Sequence, residues 1–138
     1  MTDNLILAID AGSSSCRAVL VTPQGTIVSE GRGSVQWKFP KSGWVEMDPR
    51  EFWKTTSDAV AQALRGVDPQ EIAGVGITSH RETVMMWDRR TGEPVHDAVV
   101  WISQQTDDIV RRWDEQGLGA LFMERTGLRN DSFFSAAK

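Results

Sequence analysis

The 138-residue sequence contains a single cysteine, Cys16, no tyrosine, and no apolar run of about twenty residues, the length needed to span a bilayer. One cysteine excludes a disulfide within the chain and fits a reducing compartment, so we expect a cytoplasmic protein. The start, MTDN, is short and acidic and is unlike a secretory signal. We therefore expect neither a membrane partner nor export.

The sequence also lacks an excess of positive charge. It has 15 lysines and arginines against 19 aspartates and glutamates, which gives a net charge of -4. A nucleic-acid partner would require a basic surface, so the composition argues against one. The length fits one domain covering residues 1–138.

The apolar pattern predicts an α/β fold that begins with an antiparallel meander. We expect strands at residues 5–9, 16–21 and 26–35, joined by short polar turns. In the second strand, alternation places Arg17, Val19 and Val21 on one face, with Ala18 and Leu20 on the other. The three strands would form the first part of a mixed sheet flanked by helices.

The rest of the chain is predicted to mix helices with further strands. Asp48 and Pro49 begin a helix whose apolar spacing ends before Gly66. In a fourth strand at residues 72–78, Gly74 and Gly76 suggest close packing by a neighbouring element. The remaining predicted elements are strands at residues 83–87 and 95–100 around a hairpin loop, and helices at residues 106–116 and 118–125.

The stretch LAIDAGSSSCRAVLV places a carboxylate and a hydroxyl-rich turn between two predicted strands. Its glycine allows a sharp bend, and the backbone N–H groups of such a turn can form a concavity that binds anions. Its arginine carries a forked positive charge that fits a phosphate. Asp10 would repel a phosphate but can hold Mg²⁺ through water. The candidate phosphate-binding residues are Gly12, Ser13, Ser14 and Arg17.

Spacing alone leaves a plainer interpretation open. The same stretch is typical of a polar hairpin turn closed by a side-chain hydrogen bond from the aspartate. It is not a Walker loop, because no Gly-Lys-Ser/Thr follows. Gly74-Val75-Gly76 is not a dinucleotide fingerprint either, since the third glycine is missing.

Four stretches, in the same order, resemble segments of the FGGY carbohydrate kinases. AIDAGSSSCRAVLV resembles the first phosphate-binding segment, Asp-x-Gly-Thr-Thr/Ser-x-x-Arg, and SGWVEMDPREFW resembles a Gly-Trp-Val-Glu-x-Asp-Pro segment. GITSHRETVMMWDRRTGEPVHDAVVW is similar to the form in the glycerol kinase-like branch, and TGLRNDSFFSAAK to the segment that brings a ring into the substrate pocket. The resemblance covers nearly the whole chain and implies an actin-like, ribonuclease H-like fold.

The resemblance implies an ATP-dependent kinase that phosphorylates a hydroxyl of a small polyol or sugar. Asp10 remains the candidate Mg²⁺ residue on the chemistry of the turn. Arg81 and Glu82 match the pair that binds substrate hydroxyls, and Trp101 matches the ring that covers the carbon chain. Phe133 stands where glycerol kinases usually carry a tyrosine, so one hydrogen bond to substrate is absent. Taken by themselves, Arg81 and Glu82 also fit an exposed ion pair, and Trp101 fits a core position.

Several residues near these positions depart from the family pattern. Ser79 and His80 replace a usual Asn-Gln, and Gln104 and Gln105 replace two arginines, so the polyol is left open. His80 is interpreted as non-catalytic, because the glutamine that usually stands there cannot act as a base.

The chain is expected to be the N-terminal part of a longer protein, because no closing element precedes Lys138. In the family, the catalytic base and the second phosphate-binding turn lie in the second domain, so the isolated chain is predicted to be inactive. One alternative is a non-catalytic sugar or nucleotide sensor derived from the kinase fold. Another is a ribonuclease H-like nuclease, but Asp10 lacks the companion carboxylates that two metals need. The resemblance also admits a homo-oligomer.

Overall fold

The computed structural model describes residues 4–138, so the first three residues of the acidic start lie outside it. The chain divides into two units, one formed by residues 4–36 with Arg50–His80 and the other by Trp37–Pro49 with Arg81–Lys138. The strands of the described chain are β1 (Leu5–Ala11), β2 (Ser15–Val21), β3 (Ile27–Ser34), β4 (Glu46–Met47), β5 (Ile72–Ser79) and β6 (Ala98–Val99). The α-helices are α1 (Pro49–Ala63), α2 (Asp107–Glu115) and α3 (Leu118–Thr126).

The first unit contains a four-stranded mixed sheet with the order β3-β2-β1-β5. The pairs β1–β2 and β2–β3 are antiparallel, whereas β5 lies parallel to β1. A parallel pair requires a crossover connection, and α1 lies in the connection that leads to β5. The predicted meander and the predicted mixed sheet are confirmed.

One face of this sheet packs against α1. Leu5 and Leu7 of β1 and Ala18 and Leu20 of β2 form a buried cluster with Ala59 and Ala63 of the helix. The alternation predicted for β2 is confirmed, because Ala18 and Leu20 are buried while the neighbouring side chains are half-buried. Gly31 of β3 lies so close to the helix that a Cβ atom there would be 2.0 Å from the Ala59 carbonyl oxygen. A side chain at position 31 would therefore push α1 off the sheet.

The prediction of close packing at Gly74 and Gly76 is wrong within residues 4–138. A Cβ atom at either glycine would meet no atom within 4 Å. The strand that carries them, β5, lies at the edge of the sheet, and its side chains Val75 and Ile77 are 58% and 73% exposed. No element of the described chain therefore packs closely against these two glycines.

The second unit contains the antiparallel pair β4–β6 and the hairpin around residues 88–93. The predicted strand at residues 83–87 is wrong, because these residues form only isolated bridges, from Val84 to Val99 and from Trp87 to Pro94. The strand predicted at residues 95–100 is reduced to β6. The hairpin still closes, since Asp88 donates its backbone N–H to the Glu93 carbonyl at 2.8 Å. Pro94 has no N–H to continue the ladder.

The two predicted helices of the second unit are confirmed as α2 and α3. Gly117 and Gly127, with φ of 77° and 72°, follow these helices in the left-handed conformation that favours glycine. Asn130 ties the following segment to α2, since its side chain donates to the Val110 carbonyl and to Asp114 Oδ1, both at 2.9 Å. No helix among residues 4–138 is both long enough and apolar enough to cross a membrane.

Candidate functional site

In the first unit, Asp10 lies between two cross-strand neighbours near the C-terminal end of β1. Its partner on β2 is Arg17, and its partner on β5 is Thr78. Directly opposed residues in a sheet project from the same face. All three line an open depression of about 390 Å³, together with apolar residues of the same strands. The carboxylate and the guanidinium therefore face an accessible surface, on the side of the sheet away from the residues that pack on α1.

Thr78 is a site residue that the sequence analysis missed. Thr78 is paired with Asp10 only because β5 joins the sheet parallel to β1 in this register. A signal was present, since Asp10 directly follows the predicted strand 5–9 and Thr78 ends the predicted strand 72–78, and the carboxyl ends of parallel strands meet at one edge of a sheet.

The turn after Asp10 has no room for a side chain at its glycine. A Cβ atom at Gly12 would lie 2.7 Å from the Ser15 carbonyl oxygen and 3.6 Å from Asp10 Oδ1. Gly12 and Ser13 are half-buried and Ser14 is exposed. The turn therefore keeps its backbone compact while leaving its tip accessible, as a phosphate-binding turn requires.

Arg17 is held by a carboxylate that the sequence analysis did not identify. Its Nη2 atom lies 2.5 Å from Glu30 Oε2, and Arg32 Nη2 lies 3.0 Å from the other oxygen of Glu30. The hydrogen bonds from Arg17, and then those from Arg32, hold the pKa of Glu30 below its ordinary value. Arg17 Nε is buried and has no hydrogen-bond partner among residues 4–138. The guanidinium is thus only partly satisfied by the protein.

These residues fit a phosphate with an accompanying Mg²⁺ ion. Arg17 lines the depression with a side chain that is 40% exposed, its guanidinium suits phosphate oxygens, and the glycine turn has no side chain to obstruct the approach. Within residues 4–138 no group of three or more His, Cys, Asp or Glu side chains could hold a metal ion. A lone carboxylate suits Mg²⁺ in a nucleotide site, because this ion keeps several waters and takes further oxygens from phosphates.

In the second unit, Glu82 is fixed by its backbone and by two hydrogen bonds. Its φ of 63° is uncommon for a residue other than glycine. Its Oε2 atom accepts from both the backbone N–H and the hydroxyl of Ser135, each at 2.8 Å. These bonds, the hydroxyl one first, lower the pKa of Glu82, and the positive charges of Lys138 and Arg81 add to the effect. The carboxylate is therefore ionised and oriented.

The rings of Trp101 and Phe133 pack edge to face, and Phe133 lies two residues before Ser135, the hydrogen-bond partner of Glu82. Their ring centroids are 5.8 Å apart at 70°, and Phe133 is also 5.1 Å from Phe134. Trp101 is half-buried, and its backbone N–H donates to Thr83 Oγ1 at 3.2 Å. The rings form an apolar wall that is joined to Glu82 through Ser135, two residues after Phe133. Trp101 is thus not a fully buried core residue.

Arg81 is exposed, and the structure gives Glu82 a different close partner, Ser135. The plainer interpretation was a simple ion pair between Arg81 and Glu82. Glu82 is instead held in place by its hydrogen bonds from Ser135. A separate cavity of about 250 Å³ touches Glu82 but is otherwise lined by α2, α3 and the C-terminal segment. Arg81, Trp101 and Phe133 do not line it, so Glu82 is the one predicted substrate residue among those that line this cavity.

His80 and Cys16, both in the first unit, have structural contacts. The backbone N–H of His80 donates to the Ala11 carbonyl at 3.2 Å, and Nδ1 lies 3.0 Å from the same oxygen. The His80 ring packs edge-on against Phe52 with centroids 5.1 Å apart. Cys16 is buried and accepts a hydrogen bond from Thr56 Oγ1 at 3.1 Å, and burial raises the pKa of its thiol. The neutral thiol acts as a small core residue.

The sequence as a whole is similar to known carbohydrate kinases. A family model for the N-terminal domain of the FGGY family of carbohydrate kinases matches residues 5–138. A glycerol kinase from Ligilactobacillus salivarius is 41% identical over 140 residues, which cover the whole of this chain and 28% of that relative. The chain therefore spans 28% of the length of such a curated relative.

Solved structures show the same fold. The crystal structure of Plasmodium falciparum glycerol kinase with ADP matches with a TM-score of 0.87 and 28% identity, covering 97% of this chain and 27% of that one. The xylulose kinase from Rhodospirillum rubrum matches with a TM-score of 0.88 over 97% of this chain and 28% of that one, at 21% identity, which supports the fold alone. The predicted actin-like, ribonuclease H-like fold is confirmed. With a family match over residues 5–138, the chain belongs to the FGGY family of carbohydrate kinases.

Proposed function

We propose that the chain is the N-terminal, substrate- and phosphate-binding part of an ATP-dependent kinase that acts on a small polyol or sugar. The observation that carries the proposal is the open placement of Asp10 and Arg17 as cross-strand neighbours beside a turn that only glycine fits. Relatives at 41% and 44% identity are named glycerol kinases, so a short polyol such as glycerol is the first substrate to test.

In the first unit, Arg17 and the turn residues would contact the phosphates, and Asp10 would hold hydrated Mg²⁺. When bound, MgATP supplies the phosphoryl group that is transferred to the substrate hydroxyl. Backbone N–H groups of the turn orient the phosphates, and the guanidinium offsets their negative charge. The contributing turn residues are Gly12, Ser13 and Ser14.

In the second unit, Glu82 would accept hydrogen bonds from substrate hydroxyls and Arg81 would donate to them. Adjacent donor and acceptor groups suit a diol, whose hydroxyls do both. Trp101 and Phe133 would cover the carbon chain and exclude water from it. Because Ser135 and the strained backbone fix Glu82, little ordering remains to be done when the substrate binds. We assign no catalytic base to this chain.

The proposal is tested with the complete gene product and with residues 1–138 alone. We expect the complete protein to release ADP from MgATP when a short polyol is present, with a panel that extends from glycerol to ketopentoses. We expect residues 1–138 alone to show no transfer. Absence of ADP release with every polyol and sugar, or phosphorylation by residues 1–138 alone, would overturn the proposal.

A further inference from the structure

Arg17 on β2 contacts the carboxylate of Glu30, which lies on β3. Asp10 lies on β1, the strand on the other side of β2. Glu30 Oε2 accepts from Arg17 Nη2 at 2.5 Å. Arg17, which lines the depression of Asp10, is therefore held by an anion that belongs to the protein.

We propose that Glu30 competes with phosphate for Arg17. The Glu30 carboxylate pairs with the Arg17 guanidinium when no phosphate is bound. When a phosphate binds, Arg17 leaves Glu30 and contacts the phosphate, so Glu30 sets the affinity for nucleotide phosphates. The inference rests on the proposed function, because it takes Arg17 as a phosphate-binding residue.

The neighbouring arginine makes this exchange feasible. Arg17 and Arg32 are directly opposed on β2 and β3, where two like charges repel. Glu30 neutralises both, since Arg32 Nη2 lies 3.0 Å from its Oε1 atom and 3.2 Å from its Oε2 atom. When Arg17 turns to a phosphate, Glu30 keeps Arg32 as its partner. The carboxylate is therefore not left unpaired by the release.

The exposure of the pair indicates how strong the competition is. The side chains of Arg17 and Glu30 are 40% and 39% exposed, so solvent weakens their attraction. A phosphate carries more charge than a carboxylate and presents more acceptor oxygens, so it can displace Glu30. Removing the competitor should therefore strengthen phosphate binding by about twofold to fivefold.

The test measures binding of MgADP and of magnesium pyrophosphate to the complete gene product by titration calorimetry. We expect Glu30→Gln to bind both probes about twofold to fivefold more tightly than wild type. Asp58→Asn is the matched control, since it removes one carboxylate from an exposed pair with Lys54 on α1. We expect this control to leave both affinities unchanged. Melting temperatures of all variants verify that they fold.

A double-substitution cycle separates competition from general charge. In an Arg17→Gln background, Glu30→Gln should have no effect on either probe, because the guanidinium for which Glu30 and phosphate compete is no longer present. A second readout is the NMR signal of the Glu30 carboxyl carbon, which we expect to shift when wild type is saturated with MgADP. In the Arg17→Gln variant we expect the same signal to stay in place.

The outcomes distinguish this inference from the proposed function. Binding that depends on Arg17 but is unchanged or weakened by Glu30→Gln would overturn the competition and leave the phosphate site standing. Tightening that persists in the Arg17→Gln background would also overturn it. If neither wild type nor Glu30→Gln shows binding that depends on Arg17, both proposals fail.

Discussion

The two candidate regions hold their carboxylates in opposite ways. Asp10, in the first unit, lies on an open strand surface beside Arg17 and Thr78. Glu82, in the second unit, is fixed by two hydrogen bonds from Ser135 and by a left-handed backbone. The first arrangement leaves space around the acid, and the second defines the direction in which its oxygens point.

This difference matches the ligands that each region is proposed to bind. A hydrated Mg²⁺ ion keeps most of its waters, so its carboxylate needs room more than rigidity. A neutral polyol is recognised by directed hydrogen bonds, which depend on preset acceptors. We therefore expect substitutions at Asp10 to affect the rate of transfer and substitutions around Glu82 to affect substrate binding.

Asp10→Asn is expected to have the largest effect. Loss of the charge that is proposed to hold Mg²⁺ should lower kcat of the complete gene product on the order of 100-fold or more, because the metal would neutralise charge on the phosphates during transfer. KM for the polyol should change little. Steady-state rates of ADP release measure both constants. Asp58→Asn, an exposed substitution on α1, is the control and should behave like wild type. A polyol KM that rises with an unchanged kcat would contradict the division of roles.

Glu82→Gln should act on the polyol. A charged acceptor becomes a neutral amide that also donates, so KM for the polyol should rise about tenfold to 100-fold. KM for ATP should stay near the wild-type value. The measurement varies each substrate at saturating levels of the other. An increase in KM for ATP alone would show that Glu82 does not contact the polyol.

Ser135→Ala should produce a smaller change through Glu82. The variant keeps the backbone bond to Glu82 and loses the hydroxyl bond, so the polyol KM should rise about threefold to tenfold. The Ser135 bonds favour the ionised carboxylate and lower the pKa of Glu82. Losing one of them raises this pKa, so the acidic limb of the kcat/KM profile should move to higher pH. An unchanged pH profile would indicate that Ser135 does not tune Glu82.

The parts of these regions that were predicted from sequence are close together in the chain. Asp10, Gly12 and Arg17 lie within one hairpin, so the strand pattern alone brings them together. The predicted alternation on β2 was confirmed because one face is buried against α1, and a buried face fixes register.

The missed residues depend on contacts between distant segments. Thr78 reaches Asp10 through a parallel pairing, and Ser135 reaches Glu82 across 53 residues of sequence. Glu30 lies on a predicted strand, but its bond to Arg17 follows from the register between β2 and β3. Periodicity shows which face a residue occupies, but it does not show which strand lies next to it.

The glycines illustrate the same limit. Gly31 lies within a predicted strand, and α1 approaches it so closely that a Cβ atom there would be 2.0 Å from the Ala59 carbonyl oxygen. Gly74 and Gly76 were interpreted as marks of close packing, yet they face open space within residues 4–138. A glycine shows that a side chain is absent, and only the fold shows whether a neighbour fills the space.

Phe133→Tyr should produce the smallest change, and it tests whether the second region binds a polyol at all. Phe133 is 41% exposed as a residue and its ring packs edge-on against Trp101, so we expect room for an added hydroxyl at the surface. If a short polyol lies against these rings, the new hydroxyl supplies one hydrogen bond, and KM for the polyol should fall about twofold to threefold. Phe134→Tyr adds the same group to the neighbouring ring and serves as the control. A KM that falls equally in both variants would show that the hydroxyl acts through general polarity, and an unchanged KM at Phe133 would place the substrate away from this wall.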